Sequence, residues 1–153
     1  MVRKGGSDPK IRELAVGELS RRCGTRWCVG EKDWAAEVRA LFGLVRRNVR
    51  YTRDPLRHDT YVSARRTLGQ WHAGDCDDMT IALGALLQSV GYPVALRVVQ
   101  TVGNTGYNHI YLLAAVPTKA PSAAWLPLDP SVDRPAGWEV PWHTVLKHMD
   151  VKV

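Results

Sequence analysis

Two amphipathic helices are predicted in the first fifty residues from the spacing of their apolar positions. The first begins at Ser7 or Asp8, with Pro9 at the first helical position, and is expected to end near Gly24. Its apolar face comprises Ile11, Leu14, Ala15 and Leu19. The second begins at Asp33, and its apolar residues recur three and four apart, which favours packing against a core. Its face comprises Trp34, Val38, Leu41, Phe42, Val45 and Val49.

A third helix is predicted in the stretch CDDMTIALGALLQSV, residues 76–90. Asp75 precedes it as a candidate N-cap, and Pro93 follows it, because proline cannot continue a helix. Its expected buried face comprises Met79, Ala82, Leu83, Leu86, Leu87 and Val90. The polar segment 51–75 is expected to connect the elements, with one short helix around residues 62–68.

The hydrophobic pattern changes period after the third helix. Three short apolar or β-branched runs, separated by glycine, asparagine or proline, predict an antiparallel sheet. They are VALRVVQTV, HIYLLAAV and AWLPLD, residues 94–102, 109–116 and 124–129. The remaining tail is rich in proline and tryptophan and is expected to fold over the sheet edge. Helices followed by strands predict an α+β fold in which the third helix packs on a small antiparallel sheet.

Length and composition favour one domain spanning residues 1–153. The chain is 45% hydrophobic and 24% charged, and no apolar run approaches the roughly 18 residues of a membrane helix. The N-terminus lacks the apolar segment of a signal peptide, so a cytoplasmic location is expected. Cys23, Cys28 and Cys76 make an odd number, which favours a reducing compartment and unpaired Cys23 and Cys28.

Arginines are concentrated between residues 46 and 66, in a chain of net charge +6. They are Arg46, Arg47, Arg50, Arg53, Arg57, Arg65 and Arg66. Two interpretations stay open, a solvated surface and a site for an acidic partner. Nucleic acid is not favoured, because the arginines are accompanied by neither a recognition motif nor interleaved stacking aromatics.

Cys76 stands at the predicted start of the third helix. A cysteine attacks as its thiolate, and a helix N-terminus or a neighbouring imidazolium lowers a cysteine pKa from about 8.5 to roughly 3.5–7.5. Unpaired backbone N–H groups at this end can also receive an oxyanion. Asp75, Asp77 and Asp78 would oppose thiolate formation if they faced the sulfur, so capping of the first turn is their expected role. The catalytic base must then come from another element.

His109 is the best placed of the five histidines. It lies in a predicted strand, where alternation puts His109 and Tyr111 on the face opposite Ile110. Asp129 ends the next strand, so two adjacent strands can bring His109 and Asp129 side by side. A thiol, an imidazole and a carboxylate in this arrangement are suited to nucleophilic catalysis.

The stretches GDCDDMTIALGALLQSVGYPVALRVV, NHIYLLA and WLPLDPS resemble the transglutaminase-like superfamily of papain-type cysteine enzymes, particularly its compact bacterial and phage-associated members. The resemblance covers about residues 33–142. It implies that Cys76 is the nucleophile, His109 the general base and acid, and Asp129 the residue that orients the imidazole. The implied activity is cleavage of a peptide or amide bond through an acyl-enzyme, without a cofactor, and for phage-encoded members the substrate would be a virion or cell-wall peptide.

The source of the oxyanion donor is less defined. Gln70 lies six residues before Cys76, as the oxyanion glutamine does in papain-like enzymes, and the backbone N–H of Cys76 is a further candidate. Trp71 and Tyr51 are candidates for the walls of a substrate cleft, although either could equally pack in the core.

Three alternatives compete with a hydrolase. A zinc site is disfavoured, because the C-x₄-C pair of Cys23 and Cys28 has no second pair of close ligands downstream. Transfer of the acyl group to an amine would make the protein a cross-linking enzyme, and hydrolysis is preferred because no accessory module is evident that would exclude water. A virion structural or binding protein could keep the fold without activity.

Overall fold

The computed structural model describes residues 1–53, 61–117 and 124–153. The helices of these residues are α1 (Val2–Gly6), α2 (Pro9–Leu19), α3 (Trp34–Asn48), α4 (Ala64–Arg66) and α5 (Cys76–Ser89). A π-helical turn, Thr67–Trp71, continues α4, and a 3₁₀ turn spans Trp142–Thr144. None of the described helices has the length and apolarity needed to cross a membrane.

The strands form two short pairs and one larger sheet. They are β1 (Arg22–Cys23), β2 (Arg26–Trp27), β3 (Arg50–Tyr51), β4 (Ala73–Gly74), β5 (Val94–Thr101), β6 (His109–Val116), β7 (Ala124–Leu128) and β8 (Val145–Lys152). β1 pairs with β2 and β3 with β4, whereas the other four form an antiparallel sheet in the order β7-β6-β5-β8. The mixture of packed helices and an antiparallel sheet confirms the predicted α+β class.

Side-chain caps define where the predicted helices begin. The carboxylates of Asp8 and Asp33 each accept a backbone N–H from the first turn of α2 and α3. α2 ends at Leu19 and not near Gly24, because the residues that follow form the β1-β2 hairpin. Gly24 lies in the turn of this hairpin with φ of +67°, a conformation that glycine adopts without strain.

The main hydrophobic core surrounds α5. Residues 78–87 of this helix are all buried, because α1, α2 and α3 pack around it and β5 and β6 cover its remaining side. Two residues predicted on buried helix faces, Leu14 and Trp34, are instead 42% and 41% exposed. Trp34 is the first residue of α3 and lies at the edge of the core, and Leu14 lines an open cavity.

The three predicted strands are confirmed as β5, β6 and β7, but the prediction for the tail is partly wrong. Trp138 and Val140 do pack over one sheet face. The residues from Val145 to Lys152 instead extend the sheet as β8, beside β5. This strand is exposed along nearly all its length, so its sequence lacks the one-sided apolar alternation by which half-buried strands are recognised.

Cys23 and Cys28 form a disulfide, contrary to the expectation that both are unpaired. The β1-β2 hairpin brings their Cα atoms to 5.0 Å, within the range that a disulfide spans. An odd number of cysteines does not exclude a disulfide, since one disulfide and one free thiol also account for three cysteines. Cys76 is the free cysteine, and the cysteines no longer favour a reducing compartment.

Candidate active site

Cys76 is the first residue of α5 and is partly exposed. Asp75 caps this helix, as predicted: its Oδ1 accepts the backbone N–H groups of Asp77 and Asp78 at 3.2 and 3.4 Å. The helix dipole therefore places partial positive charge beside the sulfur.

Asp78 holds the start of α5 against the segment before it. Its side chain is buried, and Oδ1 accepts the backbone N–H of Val62 at 2.8 Å. A Cβ atom on Gly74 would lie 2.6 Å from Asp78 Cβ and 2.9 Å from its Oδ2. Glycine at position 74 thus gives the Asp78 side chain the room to reach Val62.

Substitution of Gly74 by alanine is expected to destabilise the protein by about 1–3 kcal/mol, because the new methyl group would displace Asp78. Thermal and urea unfolding would measure the free energy of unfolding. Gly17, in α2, is the matched control, since a Cβ there meets nothing within 4 Å. Its replacement by alanine should leave stability unchanged or raise it by up to about 1 kcal/mol. Equal stability of the Gly74 and Gly17 variants would contradict the proposed packing.

His109 and Asp129 meet at the end of the sheet, as the strand pattern predicted. His109 begins β6, and Asp129 directly follows β7, the strand that pairs with β6. His109 Nε2 lies 2.6 Å from Asp129 Oδ2. The Asp129 side chain is 1% exposed and the His109 side chain 18%, so little water weakens their interaction. Thr80 Oγ1, on α5, donates to the carbonyl of Ile110 at 3.4 Å and ties the Cys76 helix to the start of β6.

The surroundings of His109 favour its protonated form. Burial lowers the pKa of His109, but hydrogen bonds and charge interactions with Asp129 and Cys76 outweigh burial and raise this pKa from 6.5 to about 9. Because Asp129 occupies Nε2, the ring nitrogen available to the thiol is Nδ1. An imidazolium that is hydrogen-bonded to a thiol and backed by a carboxylate can stabilise a thiolate near neutral pH.

Asp77 adds a feature that sequence reasoning missed. Burial, a hydrogen bond that protonated Asp77 donates to Asp75, and the charges of Asp75 and Asp78 raise the pKa of Asp77 to about 8. The raised pKa of Asp77 favours a proton on this pair of carboxylates, which reduces the negative charge next to Cys76. Oxygens of these three carboxylates lie within 4.8 Å of one another, the spacing of a cation site, yet each side chain already accepts a backbone N–H.

Of the three residues predicted around the cleft, Tyr51 has the clearest position. It pairs in register with Gly74 in the parallel β3-β4 pair, two residues before Cys76, and it is 44% exposed. Trp71 ends the π-helical turn and is also exposed, and the Arg66 guanidinium lies 5.5 Å from its ring centroid. Neither aromatic side chain is therefore part of the core.

Gln70 lines a cavity of about 760 Å³ whose walls come mainly from α2 and the π-helical turn. Cys76 and His109 are not among the residues that line it. The predicted oxyanion role of Gln70 thus gains no support from this cavity and stays a prediction. The backbone N–H of Cys76 remains the other candidate donor.

The chain belongs to the transglutaminase-like superfamily, whose family model matches residues 22–130. Among solved structures, it is similar to a Cytophaga hutchinsonii protein described as a candidate cysteine protease. The two share 19% sequence identity with a TM-score of 0.58, which shows a common fold. The match covers 94% of this chain but 40% of the other, so the chain spans less than half the length of that protein. No curated protein matches the sequence.

Proposed function

We propose that this protein is a thiol hydrolase that cleaves a peptide or amide bond through an acyl-enzyme at Cys76. In this proposal Cys76 attacks the carbonyl carbon as a thiolate. His109 carries the proton and delivers it to the leaving amine, and Asp129 orients the imidazole and stabilises its charge. The backbone N–H groups at the start of α5 receive the oxyanion.

The observation that carries the proposal is the environment of His109. His109 Nε2 lies 2.6 Å from the buried Asp129 carboxylate, and interactions with Asp129 and Cys76 raise the His109 pKa to about 9, although burial alone would lower it. A histidine whose pKa is lowered by burial but raised more by specific charged neighbours is a candidate for a catalytic group. Membership of the superfamily and the fold shared with the C. hutchinsonii protein support a thiol enzyme in general terms.

Hydrolysis is preferred over transfer to an amine because the site is open to water. Cys76 is partly exposed, and the Tyr51 and Trp71 side chains are exposed as well. A water molecule can thus reach the acyl group unless the substrate itself covers it.

We also propose an acidic partner, and the contacts of the arginines reduce the number of side chains that could bind it. Within the described part of the chain, three of these arginines have acidic partners: Arg46 with Asp133, Arg47 with Glu18 and Arg65 with Asp8. The Arg66 guanidinium instead lies over the Trp71 ring. Arg57 lies outside the described residues. Arg50 and Arg53 are exposed, and Arg50 is next to Tyr51. We therefore propose that any acidic segment of a substrate is bound by Arg50 and Arg53.

Alkylation of the native protein by iodoacetamide tests the thiol directly. One equivalent is expected to react, at Cys76, because Cys23 and Cys28 are joined. At pH 7 its rate constant should exceed that of a cysteine in an unstructured peptide by about tenfold, because the imidazolium favours the thiolate. Mass spectrometry would locate the label. After reduction of the disulfide, Cys23 and Cys28 should react with the rate constant of the cysteine in the unstructured peptide. A rate constant for Cys76 that equals this reference value would count against an activated thiol.

The products formed from a peptide library distinguish the three candidate functions. The library contains glutamine donors, amine acceptors, acidic and basic sequences, and virion and cell-wall peptides. New termini without cross-links would support hydrolysis, and preferential cleavage of acidic members would support the arginine proposal. New amide cross-links without cleavage would replace hydrolysis by acyl transfer. An unreactive Cys76 together with unchanged peptides would favour a silent structural or binding protein.

A further inference from the structure

Asp129 accepts additional hydrogen bonds on the oxygen that does not contact His109. The hydroxyl of Ser131 donates to Asp129 Oδ1 at 2.7 Å, and the backbone N–H of Ser131 donates to the same oxygen at 3.1 Å. The Asp129 side chain is almost fully buried, so these donors replace the water that burial removes from the carboxylate. Each carboxylate oxygen thus has a defined partner, His109 for Oδ2 and Ser131 for Oδ1.

The sequence Asp-Pro-Ser explains why both donors come from residue 131. Pro130 has no N–H, and its ring fixes φ near −65°. The first backbone donor after Asp129 is therefore that of Ser131, and the carboxylate closes a local turn by accepting it. The serine hydroxyl adds a second donor that alanine at this position would not provide.

We infer that Ser131 is a positioning residue for the proposed reaction, whose hydroxyl fixes the Asp129 carboxylate in the rotation that directs Oδ2 at His109. The inference rests on the proposed function. The terminal torsion of an aspartate is broad, so a carboxylate bound at one oxygen can turn away from the line of that hydrogen bond. Two donors on Oδ1 restrict this rotation, and they also stabilise the negative charge that the imidazolium pairs with.

The effect of Ser131 on catalysis is expected to pass through the imidazole. The hydrogen bond and charge of Asp129 raise the pKa of His109, so a carboxylate that is held less firmly should raise it less. Ser131 is partly exposed, and threonine keeps the hydroxyl group. Threonine should therefore restore the function of the hydroxyl, which gives a conservative rescue.

The experiment compares Ser131→Ala, Ser131→Thr and Ser20→Ala in the full chain. Ser20 is the matched control, since its hydroxyl also donates a short hydrogen bond, 2.6 Å to the Val16 carbonyl, but at the end of α2. NMR titration of the His109 ring protons measures its pKa, and the iodoacetamide rate constant as a function of pH measures the thiolate.

In Ser131→Ala, the His109 pKa should fall by about half a unit to one unit. The alkylation rate constant near pH 7 should fall by up to about threefold to tenfold, because an imidazole with a pKa lower by half to one unit forms the thiolate–imidazolium pair less readily. Ser131→Thr should agree with the unsubstituted protein in both measurements, and Ser20→Ala should change neither.

The two readouts separate this inference from the proposed function. An unchanged His109 pKa in Ser131→Ala would overturn the positioning role even if the protein hydrolyses peptides. A lowered His109 pKa with rescue by threonine would support it, even if hydrolysis were absent and the proposed function were wrong. A fall in pKa that threonine does not rescue, with a lowered melting temperature, would assign Ser131 a structural role and overturn the inference.

Discussion

Replacement of Cys76 by alanine is expected to abolish amide hydrolysis, with a loss on the order of 10⁶-fold, as removal of the nucleophile causes in other acyl-transfer enzymes. Neither of the other two cysteines can supply a thiol in its place, because Cys23 and Cys28 are bonded to each other. Hydrolysis of the best library peptide, followed by mass spectrometry of the products, measures the loss. Native iodoacetamide labelling should fall to zero equivalents in the same variant.

The control for Cys76→Ala is the double variant Cys23→Ser with Cys28→Ser. It removes two sulfur atoms from the β1-β2 hairpin and leaves the start of α5 intact, so hydrolysis should stay within about threefold of the original rate. Measurement at a temperature well below the melting point of both variants keeps unfolding out of the comparison. Hydrolysis by Cys76→Ala above about one per cent of the original rate would rule out Cys76 as the nucleophile.

The sequence predicted most of the geometry at this site because local rules determine it. A capping aspartate defines the start of α5, and the capping interaction involves residues at most three apart. Strand alternation placed His109 on one face, and the ending of the next strand placed Asp129 beside it. In each case a short-range rule was enough, together with the expectation that consecutive strands are neighbours.

What the sequence did not predict depends on contacts or on the surroundings of a group. The Cys23–Cys28 disulfide depends on a hairpin of two-residue strands, too short to produce a periodic signal. The raised pKa of Asp77 comes first from burial, which spacing does not report. For Gln70, the sequence shows a spacing of six residues before the cysteine. This spacing does not determine which cavity the side chain lines.

The site also shows how the chain tolerates three aspartates around a nucleophilic thiol. Asp75 caps the helix, Asp78 is turned inward to Val62, and burial with the neighbouring charges raises the pKa of Asp77 to about 8. Their negative charge is thus partly neutralised or directed at backbone N–H groups. The positive charge of the imidazolium and of the helix N-terminus can then determine the state of Cys76.

Substitution of Asp129 by asparagine is expected to reduce hydrolysis by about 10⁴-fold and to change its pH dependence. Asparagine keeps the shape of the side chain and an acceptor oxygen but carries no charge. The charge of Asp129 then no longer raises the His109 pKa, its hydrogen bond is no longer charge-assisted, and burial still lowers the pKa. In the unsubstituted protein, activity should fall as the pH rises through about 9, where the imidazolium loses its proton. In Asp129→Asn, this alkaline fall should occur about one unit lower or more.

Stability provides a second, independent measurement for Asp129→Asn, with the sign set by the same pKa. The folded-state pKa of His109, about 9, exceeds the unfolded value of about 6.5, so its interactions stabilise the fold fully below pH 6.5. This contribution is lost as the pH rises through 9. The free energy of unfolding of the original protein should therefore exceed that of Asp129→Asn by more at pH 6 than at pH 10. A difference that is the same at both pH values, together with an unmoved alkaline limb of activity, would show that Asp129 does not set the charge of His109.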